Sequence, residues 1–561
     1  MRLALLLAVL ASLAPLSPAA DLVLRNGKIV TLDPAAPQVQ AVAITAGKVV
    51  AAGSDAQMAR HIQPATKVID LAGRLAIPGF IEGHGHFTGI GQMKMNLNLR
   101  EVKNWDQIVA MVGAAAREAK PGEWIIGRGW HQEKWETKPS PNVKGFPVNT
   151  SLSAASPRNP VLLTHASGHA VFVNEAALKA AGITRNTPDP AGGEIMKDTA
   201  GNPIGLLNER AQELVRDAMS QDRARRTTAE REAEAERQID LAAEECVTKG
   251  ITSFQDAGSP PEVIERLKQR ASAGKLPLRL WVMLRTANAQ ISPKYRMIGY
   301  GDDHLTVRAI KRQIDGALGS RGAWLLAPYS DLPTSSGINT EELSDIEGTA
   351  KIAIDNGFQL CVHAIGDRGN REILNLYERT FQAHPEKKDL RWRIEHAQHI
   401  DKADIPRFGK LGVIAAMQAV HCTSDAPMVV PRLGVKRAEE GAYVWQSLMK
   451  SGAHVTDGTD APVEDVSPLE CYYAAVTRRL KNGQTFYPAQ RMSRMEALRS
   501  YTSENAYAAF EENVKGMLKP GMLGDVTVLS KDILTIPDEE IVKTNVEYTI
   551  VGGKIVYQRS K

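Results

Sequence analysis

Two histidines at the end of an apolar segment are the clearest chemical signal in the chain. They lie two residues apart in Gly79-Phe-Ile-Glu-Gly-His84-Gly-His86. Strand side chains repeat their direction every two residues, so both imidazoles face the same side. Neutral imidazole is a common ligand of zinc, iron and nickel. The pair therefore predicts a metal site, although this segment alone leaves a structural pair open.

Other metal-ligating residue types end later apolar segments. These are His363, His396 and Asp460. Convergence of such residues from separate strand ends is much harder to explain by packing than any one of them. Together with His84 and His86 they predict one site for one or two divalent ions, with zinc as the default.

Lys311 is ambiguous. An ammonium group beside two divalent cations would be repelled strongly. A lysine at such a site must therefore be neutral, or its amine must have reacted with CO2 to give a carbamate that can bridge metals. The local sequence by itself favours the alternative, in which Lys311 and Arg312 lie on a solvated helix.

The elements that must position these residues are short apolar segments separated by amphipathic stretches. Strands that alternate with helices predict a parallel sheet, and eight such units predict a TIM-type (β/α)8 barrel with catalytic groups at the carboxyl ends of its strands. The barrel is placed at residues 76–510. Its candidate strands are 75–86, 251–256, 278–284, 307–315, 359–365, 391–396, 413–418 and 455–460.

The two ends of the chain share a different pattern. Units of strand, Gly-Lys and strand recur in residues 21–75 and again in 511–561, which predicts one composite β-sandwich domain built from both termini. The connection between the first two barrel strands is about 160 residues long and must carry its own structure. An inserted cap subdomain is therefore expected at about 95–245, after the first barrel strand.

Composition and the first residues limit the class of protein. Residues 1–20 have the basic start, apolar run and small residues of a secretory signal peptide, which predicts an exported protein, periplasmic or secreted, with no stable membrane anchor. The 68 basic and 64 acidic residues nearly balance, which argues against nucleic acid as a partner. A small-molecule substrate is expected, and a homo-oligomer is left open.

The order of the motifs resembles the amidohydrolase superfamily, and more closely its amidohydrolase-3 branch, which includes N-substituted formamide deformylases and the YtcJ-like proteins. The matching segments are the N-terminal hairpins, Gly79-Phe-Ile-Glu-Gly-His84-Gly-His86, Lys311-x-x-x-Asp315-Gly, His363-Ala-Ile-Gly-Asp, Ile394-Glu-His396-Ala-Gln and Thr459-Asp460-Ala-Pro. One departure is Glu82, since many members have aspartate two positions before the first histidine.

The resemblance implies a metal-dependent barrel with a composite β-sandwich. The implied ligands are His84 and His86 on the first strand, Lys311 as a carboxylated lysine on the fourth, His363 and His396 on the fifth and sixth, and Asp460 on the eighth. A carboxylated lysine would go with two metal ions and an unmodified one with a single ion.

The expected reaction is hydrolysis of a non-peptide C–N bond, as in an N-substituted formamide or another N-acyl compound. Metal ions lower the pKa of bound water and polarise carbonyl groups. Asp460 is expected to move the proton from water to the leaving nitrogen, with His396 as the other catalytic residue. Trp130, His169 and His421 are expected to contact the substrate.

The alternatives within enzymes are a deaminase of a cyclic amine and a lactone or ester hydrolase, because one scaffold supports many reactions. A non-catalytic binding protein on the same barrel is the alternative from another class. The presence of all five histidine and aspartate ligands argues against it.

Overall fold

The computed structural model of the protein describes residues 19–560 except 133–134, 166–169, 191–192, 320 and the side chain of residue 209. The predicted signal peptide, residues 1–20, lies almost wholly outside this range and stays a prediction. None of the helices in the described part of the chain is both long enough and apolar enough to cross a membrane.

Alternating residues at the start of the chain form short strands, as predicted. One sheet has the order β5-β4-β1-β6. The β4–β5 hairpin turns through Ala46 and Gly47, whose positive φ angles of 47° and 78° are those of a type I′ turn. The strands are β1 (Leu22–Arg25), β2 (Lys28–Val30), β3 (Gln38–Val39), β4 (Ala41–Thr45), β5 (Lys48–Gly53), β6 (Lys67–Asp70) and β7 (Leu75–Pro78), and a helix spans Asp55–Met58.

The first barrel strand, β8 (Phe80–Gly85), is followed by an inserted segment, and residues 88–242 form a compact unit of their own. Its main sheet has the order β15-β16-β14-β13-β10-β9. The strands are β9 (Leu97–Asn98), β10 (Ile125–Trp130), β11 (Asn142–Val143), β12 (Phe146–Pro147), β13 (Val161–His165), β14 (Ala170–Val173), β15 (Gly193–Lys197) and β16 (Pro203–Glu209). Helices span Phe87–Met95, Trp105–Glu118, Thr150–Ala155, Glu175–Ala180 and Ala211–Arg225.

The barrel sheet consists, within the described residues, of eight parallel strands in the order β24-β23-β22-β21-β20-β18-β17-β8. Its later strands are β17 (Ile251–Ser259), β18 (Arg279–Leu284), β20 (Leu305–Gln313), β21 (Gln359–Ala364), β22 (Arg393–His396), β23 (Ile414–Met417) and β24 (Val455–Asp457), and β19 (Met297–Gly299) pairs with β20. The predicted fold class is confirmed. The first predicted segment, 75–86, is divided between β7 of the sandwich and β8 of the barrel.

Helices alternate with these strands, as the amphipathic stretches predict. They span Thr228–Thr248, Pro261–Ser272, Leu343–Asn356, Asp367–Ala383, Ile405–Leu411, Ala419–Leu433, Val435–Gly441, Trp445–Lys450, Pro468–Thr477, Arg494–Ser500 and Ser503–Ala508, with a short left-handed turn at Tyr300–Asp303.

The end of the chain returns to the sandwich. The strands β25 (Val526–Leu529), β26 (Val546–Val551) and β27 (Lys554–Gln558) form a sheet with N-terminal strands, in the order β27-β26-β25-β7-β2-β3, and a helix spans Asp538–Ile541. Its core includes Leu24, Ile44 and Val526, which are fully buried. The boundaries at 21–75, 76–510 and 511–561 stay predictions.

Candidate metal centre

His84, His86 and Asp460 face one another where the first and eighth barrel strands end. The Asp460 Oδ1 atom lies 3.2 Å from Nε2 of His86 and 3.6 Å from Nε2 of His84. Among the described residues, His84 Nε2 and Asp460 Oδ1 are buried without a hydrogen-bond partner. Buried polar atoms are normally paired, so this nitrogen and oxygen set fits a divalent metal ion.

A second group of side chains adjoins the first through Asp460. The ring centroid of His396 lies 4.6 Å from that of His84 and 4.5 Å from that of His363. His396, His421 and Asp460 each place one side-chain nitrogen or oxygen atom within 4.8 Å of those of the other two. The structure thus brings together all five histidine and aspartate side chains predicted as ligands and adds His421.

Two of these residues have an unusual backbone. The φ angles of His396 and Asp460 are 75° and 56°, in the left-handed region that non-glycine residues seldom adopt. In a regular strand, His396 would point away from the side that its neighbour Glu395 faces. The backbone turn instead brings its ring against those of His84 and His363. Such backbone strain is typical of functional sites.

The hydrogen bonds of His84 and His396 determine which ring nitrogen faces the site. Glu395 accepts a short hydrogen bond from Nδ1 of His84. Gln418 Oε1 accepts from Nδ1 of His396 at 2.7 Å, and the Gln418 amide nitrogen donates to Ala416 O at 3.0 Å. Both histidines therefore carry their proton on Nδ1 and present the Nε2 lone pair, as metal ligands do.

Glu395 is a residue of the candidate site that the sequence motifs do not predict. Its carboxylate forms a completely buried ion pair with Arg393, with 2.7 Å between Arg393 Nε and Glu395 Oε1. Burial opposes ionisation of Glu395, but Arg393 and His84 outweigh it and lower its pKa to about 2. Two charged residues in the buried strand β22 were the available signal, because such residues are rare in a core unless they are paired.

Burial and neighbouring side chains determine the charge states of the predicted ligands. Burial, reinforced by Lys311, lowers the pKa of His84 to about 4 and that of His363 to about 3. These imidazoles are therefore neutral near pH 7. For Asp460 burial acts in the opposite direction, but the neighbouring histidines, His86 first, hold its pKa well below the usual range. Asp460 is therefore ionised.

Lys311 lies inside the barrel. It is on β20, in register with Cys361 on β21, and only 3% of it is exposed. The alternative of a solvated helix for Lys311 and Arg312 is therefore wrong, because a parallel strand packed between two neighbours buries both. Burial lowers the pKa of Lys311, while the Glu395 and Asp460 carboxylates act against this shift. Carboxylation of Lys311 stays a prediction.

Glu82 forms hydrogen bonds with the backbone next to the centre. Its carboxyl group accepts hydrogen bonds from the backbone N–H of Thr459 at 2.6 Å and of His84 at 3.3 Å, and from the Tyr501 hydroxyl. Burial raises the pKa of Glu82 to about 8. Tyr501 lies 419 residues beyond Glu82 and was missed, because no local motif marks it.

The predicted substrate contacts have different locations. Trp130 is buried in the inserted unit, where its indole N–H donates to Leu163 O at 2.8 Å and its ring packs edge-on against His165. His169 lies outside the described residues. His421 adjoins Asp460, with 3.9 Å between Nε2 and Oδ2. Substrate contact by these three residues stays a prediction.

The sequence and the fold of this chain are similar to those of known proteins. The model of the family described as "Amidohydrolase family" matches residues 67–557. The chain is 33% identical over 556 residues to the protein LONG AFTER FAR-RED 3 of Arabidopsis thaliana, covering 97% of this chain and 92% of that protein. It is 30% identical to the putative amidohydrolase YtcJ of Bacillus subtilis (95% and 99% covered), and 25% identical to the N-substituted formamide deformylase of Arthrobacter pascens (96% and 99%).

Among solved structures, an uncharacterized metal-dependent hydrolase from Pyrococcus horikoshii matches with a TM-score of 0.73 and 25% identity, covering 92% of this chain and 99% of that one. The predicted resemblance is confirmed by these similarities.

Proposed function

The chain belongs to the amidohydrolase family of metal-dependent hydrolases, and from this premise we propose that it hydrolyses a non-peptide C–N bond in an N-substituted formamide or another N-acyl compound. The observation that carries the proposal is a pair of buried atoms beside His86, His84 Nε2 and Asp460 Oδ1, which have no hydrogen-bond partner in the part of the chain that the structure describes. Similarity to a relative named N-substituted formamide deformylase supports this substrate class.

We propose zinc, as one or two ions, at this centre. His84, His86 and Asp460 would hold one ion, and His363, His396 and a carboxylated Lys311 would complete the place for a second. A bound divalent ion supplies activation of water and polarisation of the substrate carbonyl.

Asp460 performs the proton transfers in this proposal. It is ionised, so it can accept a proton from the attacking water. It then gives the proton to the departing nitrogen, which is a poor leaving group without it. His396 keeps its lone pair towards the site because Gln418 holds its Nδ1 proton. Glu82 holds the backbone of the Asp460 loop against that of His84 through Thr459.

The test combines metal content with a substrate panel. Elemental analysis of the purified chain should find one or two zinc equivalents, and the protein should release amines from N-substituted formamides or other N-acyl compounds. Asp460→Asn should retain metal but lose about 10²–10⁴-fold in turnover. His454→Gln is the matched control, since His454 precedes β24 and lies at the opposite end of that strand.

Other outcomes select among the alternatives. Ammonia released from a cyclic amine, with the amides left intact, would identify a deaminase. Cleavage of lactones alone would identify an ester-type hydrolase. Firm metal retention without hydrolysis of any panel member would favour a binding protein.

We also propose that the protein is exported to the periplasm or secreted and acts on a small molecule without nucleic acid or a stable membrane anchor. Mass spectrometry of the exported chain should find an N-terminus near Asp21. Light scattering would establish whether it forms a homo-oligomer.

A further inference from the structure

His421 lies in the first turn of the helix Ala419–Leu433 and faces the metal centre. Its ring stacks on that of His396, with centroids 6.1 Å apart and planes 14° apart. The Nε2 atom is buried, has no hydrogen-bond partner among the residues the structure describes, and lies 3.9 Å from Oδ2 of Asp460. His421 is thus a buried polar group aimed at the predicted base.

The other ring nitrogen shows where the proton lies. Nδ1 of His421 is 2.9 Å from the side-chain nitrogen of Gln398. An amide nitrogen can only donate, so Nδ1 must accept and the ring proton lies on Nε2. This tautomer is the opposite of that in His84 and His396, whose Nδ1 atoms donate to carbonyl or carboxylate oxygens.

A protonated Nε2 cannot bind a cation, and a buried N–H without an acceptor destabilises the fold. A hydrogen-bond acceptor on the substrate would satisfy the buried N–H of His421 and would give this residue a role other than metal binding. We propose that His421 donates a hydrogen bond from Nε2 to the carbonyl oxygen of the amide undergoing hydrolysis. This inference rests on the proposed function and assigns His421 the part of an oxyanion donor.

The proposed role of His421 as a donor is consistent with the bonds that form and break during hydrolysis. The water oxygen bonds to the carbonyl carbon, one water proton passes to Asp460, and the carbonyl π pair moves onto oxygen. That oxygen accepts the hydrogen bond of His421, whose proton stays on Nε2. When the pair returns, the C–N bond breaks and Asp460 passes its proton to the nitrogen.

The first experiment reads the tautomer without any substrate. The full chain is labelled with ¹⁵N-histidine, loaded with ¹¹³Cd²⁺ and studied by NMR, with His421 assigned from the spectrum of His421→Gln. We expect a protonated Nε2 without coupling to cadmium for His421, and coupling for His84. Cadmium coupling at His421, or a proton on its Nδ1, would overturn the proposal.

The second experiment separates a donor from a ligand. His421→Met removes the N–H and should lower kcat about 10²-fold on an N-substituted formamide, with KM and the zinc:protein ratio unchanged. His421→Gln keeps an N–H at similar reach and should restore most of the lost rate. Loss of zinc from both variants, or equal rates in both, would contradict the donor role.

Gln398 offers an independent control of the tautomer. Gln398→Glu supplies an acceptor for Nδ1–H, so the ¹⁵N spectrum of this variant should show a proton on Nδ1 of His421, and an unprotonated Nδ1 would contradict the assignment. His454→Gln should change neither rate nor zinc content. A wild-type protein that cleaves no amide would refute the proposed function, whereas the cadmium spectrum would still decide the tautomer.

Discussion

At the scale of single residues, burial prepares the side chains of this centre for chemistry. The imidazoles of His84 and His363 are neutral near pH 7 because protonation inside the barrel is unfavourable. Glu395 remains ionised in the same interior because Arg393 compensates its charge. The site therefore has neutral imidazoles and an ionised carboxylate before any ligand binds.

Lys311 gives the first prediction. Lys311 is buried inside the barrel, and burial lowers the pKa of its amine, which favours the neutral form that reacts with CO2. On the proposal that Lys311 is carboxylated and helps to hold a second ion, Lys311→Ala should reduce the zinc:protein ratio to about half, with partial recovery in acetate or propionate, because their carboxylates would replace the carbamate. Elemental analysis checks both effects.

The matched control for Lys311→Ala is Lys515→Ala, which removes another buried lysine. Lys515 donates to Ser253 Oγ at 2.6 Å and pairs with Glu511, so it has a structural role. Its loss should lower stability but leave zinc content unchanged. Normal zinc content in Lys311→Ala would remove Lys311 from the site.

His399 gives a prediction of pH dependence. Burial lowers its pKa from 6.5 to about 3, and neither ring nitrogen has a hydrogen-bond partner within the described part of the chain. Below pH 6.5, His399 therefore binds a proton in the unfolded state but not in the folded state. The free energy of unfolding consequently falls as the pH drops from 6.5 towards 3. His399→Leu should make the melting temperature less dependent on pH in this interval.

Calorimetry between pH 7 and pH 4 would measure this change, with His384→Leu as the surface control. His384 is about one-third exposed. An equally steep loss of stability in His399→Leu would show that His399 does not contribute.

At the scale of elements, the barrel closes where β24 meets β8. Two backbone hydrogen bonds of 2.7 Å, Asp460 N to His84 O and His86 N to Ala461 O, cross this junction just beyond β24. Gly83 is required here, because a Cβ atom would lie 2.4 Å from Asp457 O. The hydrogen bonds that close the barrel therefore also position Asp460.

Asn505 reinforces this junction from outside the two strands. Its side-chain nitrogen donates to Ile81 O at 2.6 Å and to Asp457 O at 2.9 Å. Asn505→Ala leaves two buried carbonyls unpaired and should destabilise the protein by about 2–5 kcal/mol, with weaker zinc retention. Thermal unfolding and elemental analysis measure the two effects.

Asn482→Ala is the control for Asn505→Ala, because Asn482 is an exposed turn residue. If zinc retention survived in Asn505→Ala despite a large loss of stability, the junction would not position the ligands.

At the scale of the whole molecule, a buried ion pair joins the barrel to the sandwich. Arg279 of β18 donates from Nε and Nη2 to Asp525 at 2.8 and 3.0 Å, and the backbone N–H of Gly552 also donates to Asp525. The pair holds the start of a barrel strand against the C-terminal sheet.

Removing one partner of this pair is more damaging than removing an exposed charge. Asp525→Ala leaves the Arg279 guanidinium buried without its counter-ion and should cost about 3–5 kcal/mol. Glu540→Ala, which breaks the surface pairs with Lys531 and Lys543, should lower the melting temperature much less. Equal melting temperatures for the two variants would contradict the structural role of the buried pair.

Local patterns were sufficient to predict the architecture and to predict which side chains lie together at one end of the barrel. Parallel strands place their carboxyl ends on one side of a barrel, so residues that end successive apolar segments must meet there. His84, His86, His363, His396 and Asp460 could therefore be assigned to one site from their positions alone. The sandwich followed from repeated hairpin signals at both ends.

Only the tertiary structure decided charge, tautomer and orientation. The burial of Lys311, the Glu82–Tyr501 contact and the left-handed turn at His396 depend on partners that lie far away along the chain or on backbone angles. The tautomer of His421 depends on Gln398 in the same way. Local sequence determines which groups are available, whereas the protons they hold depend on what folding packs against them.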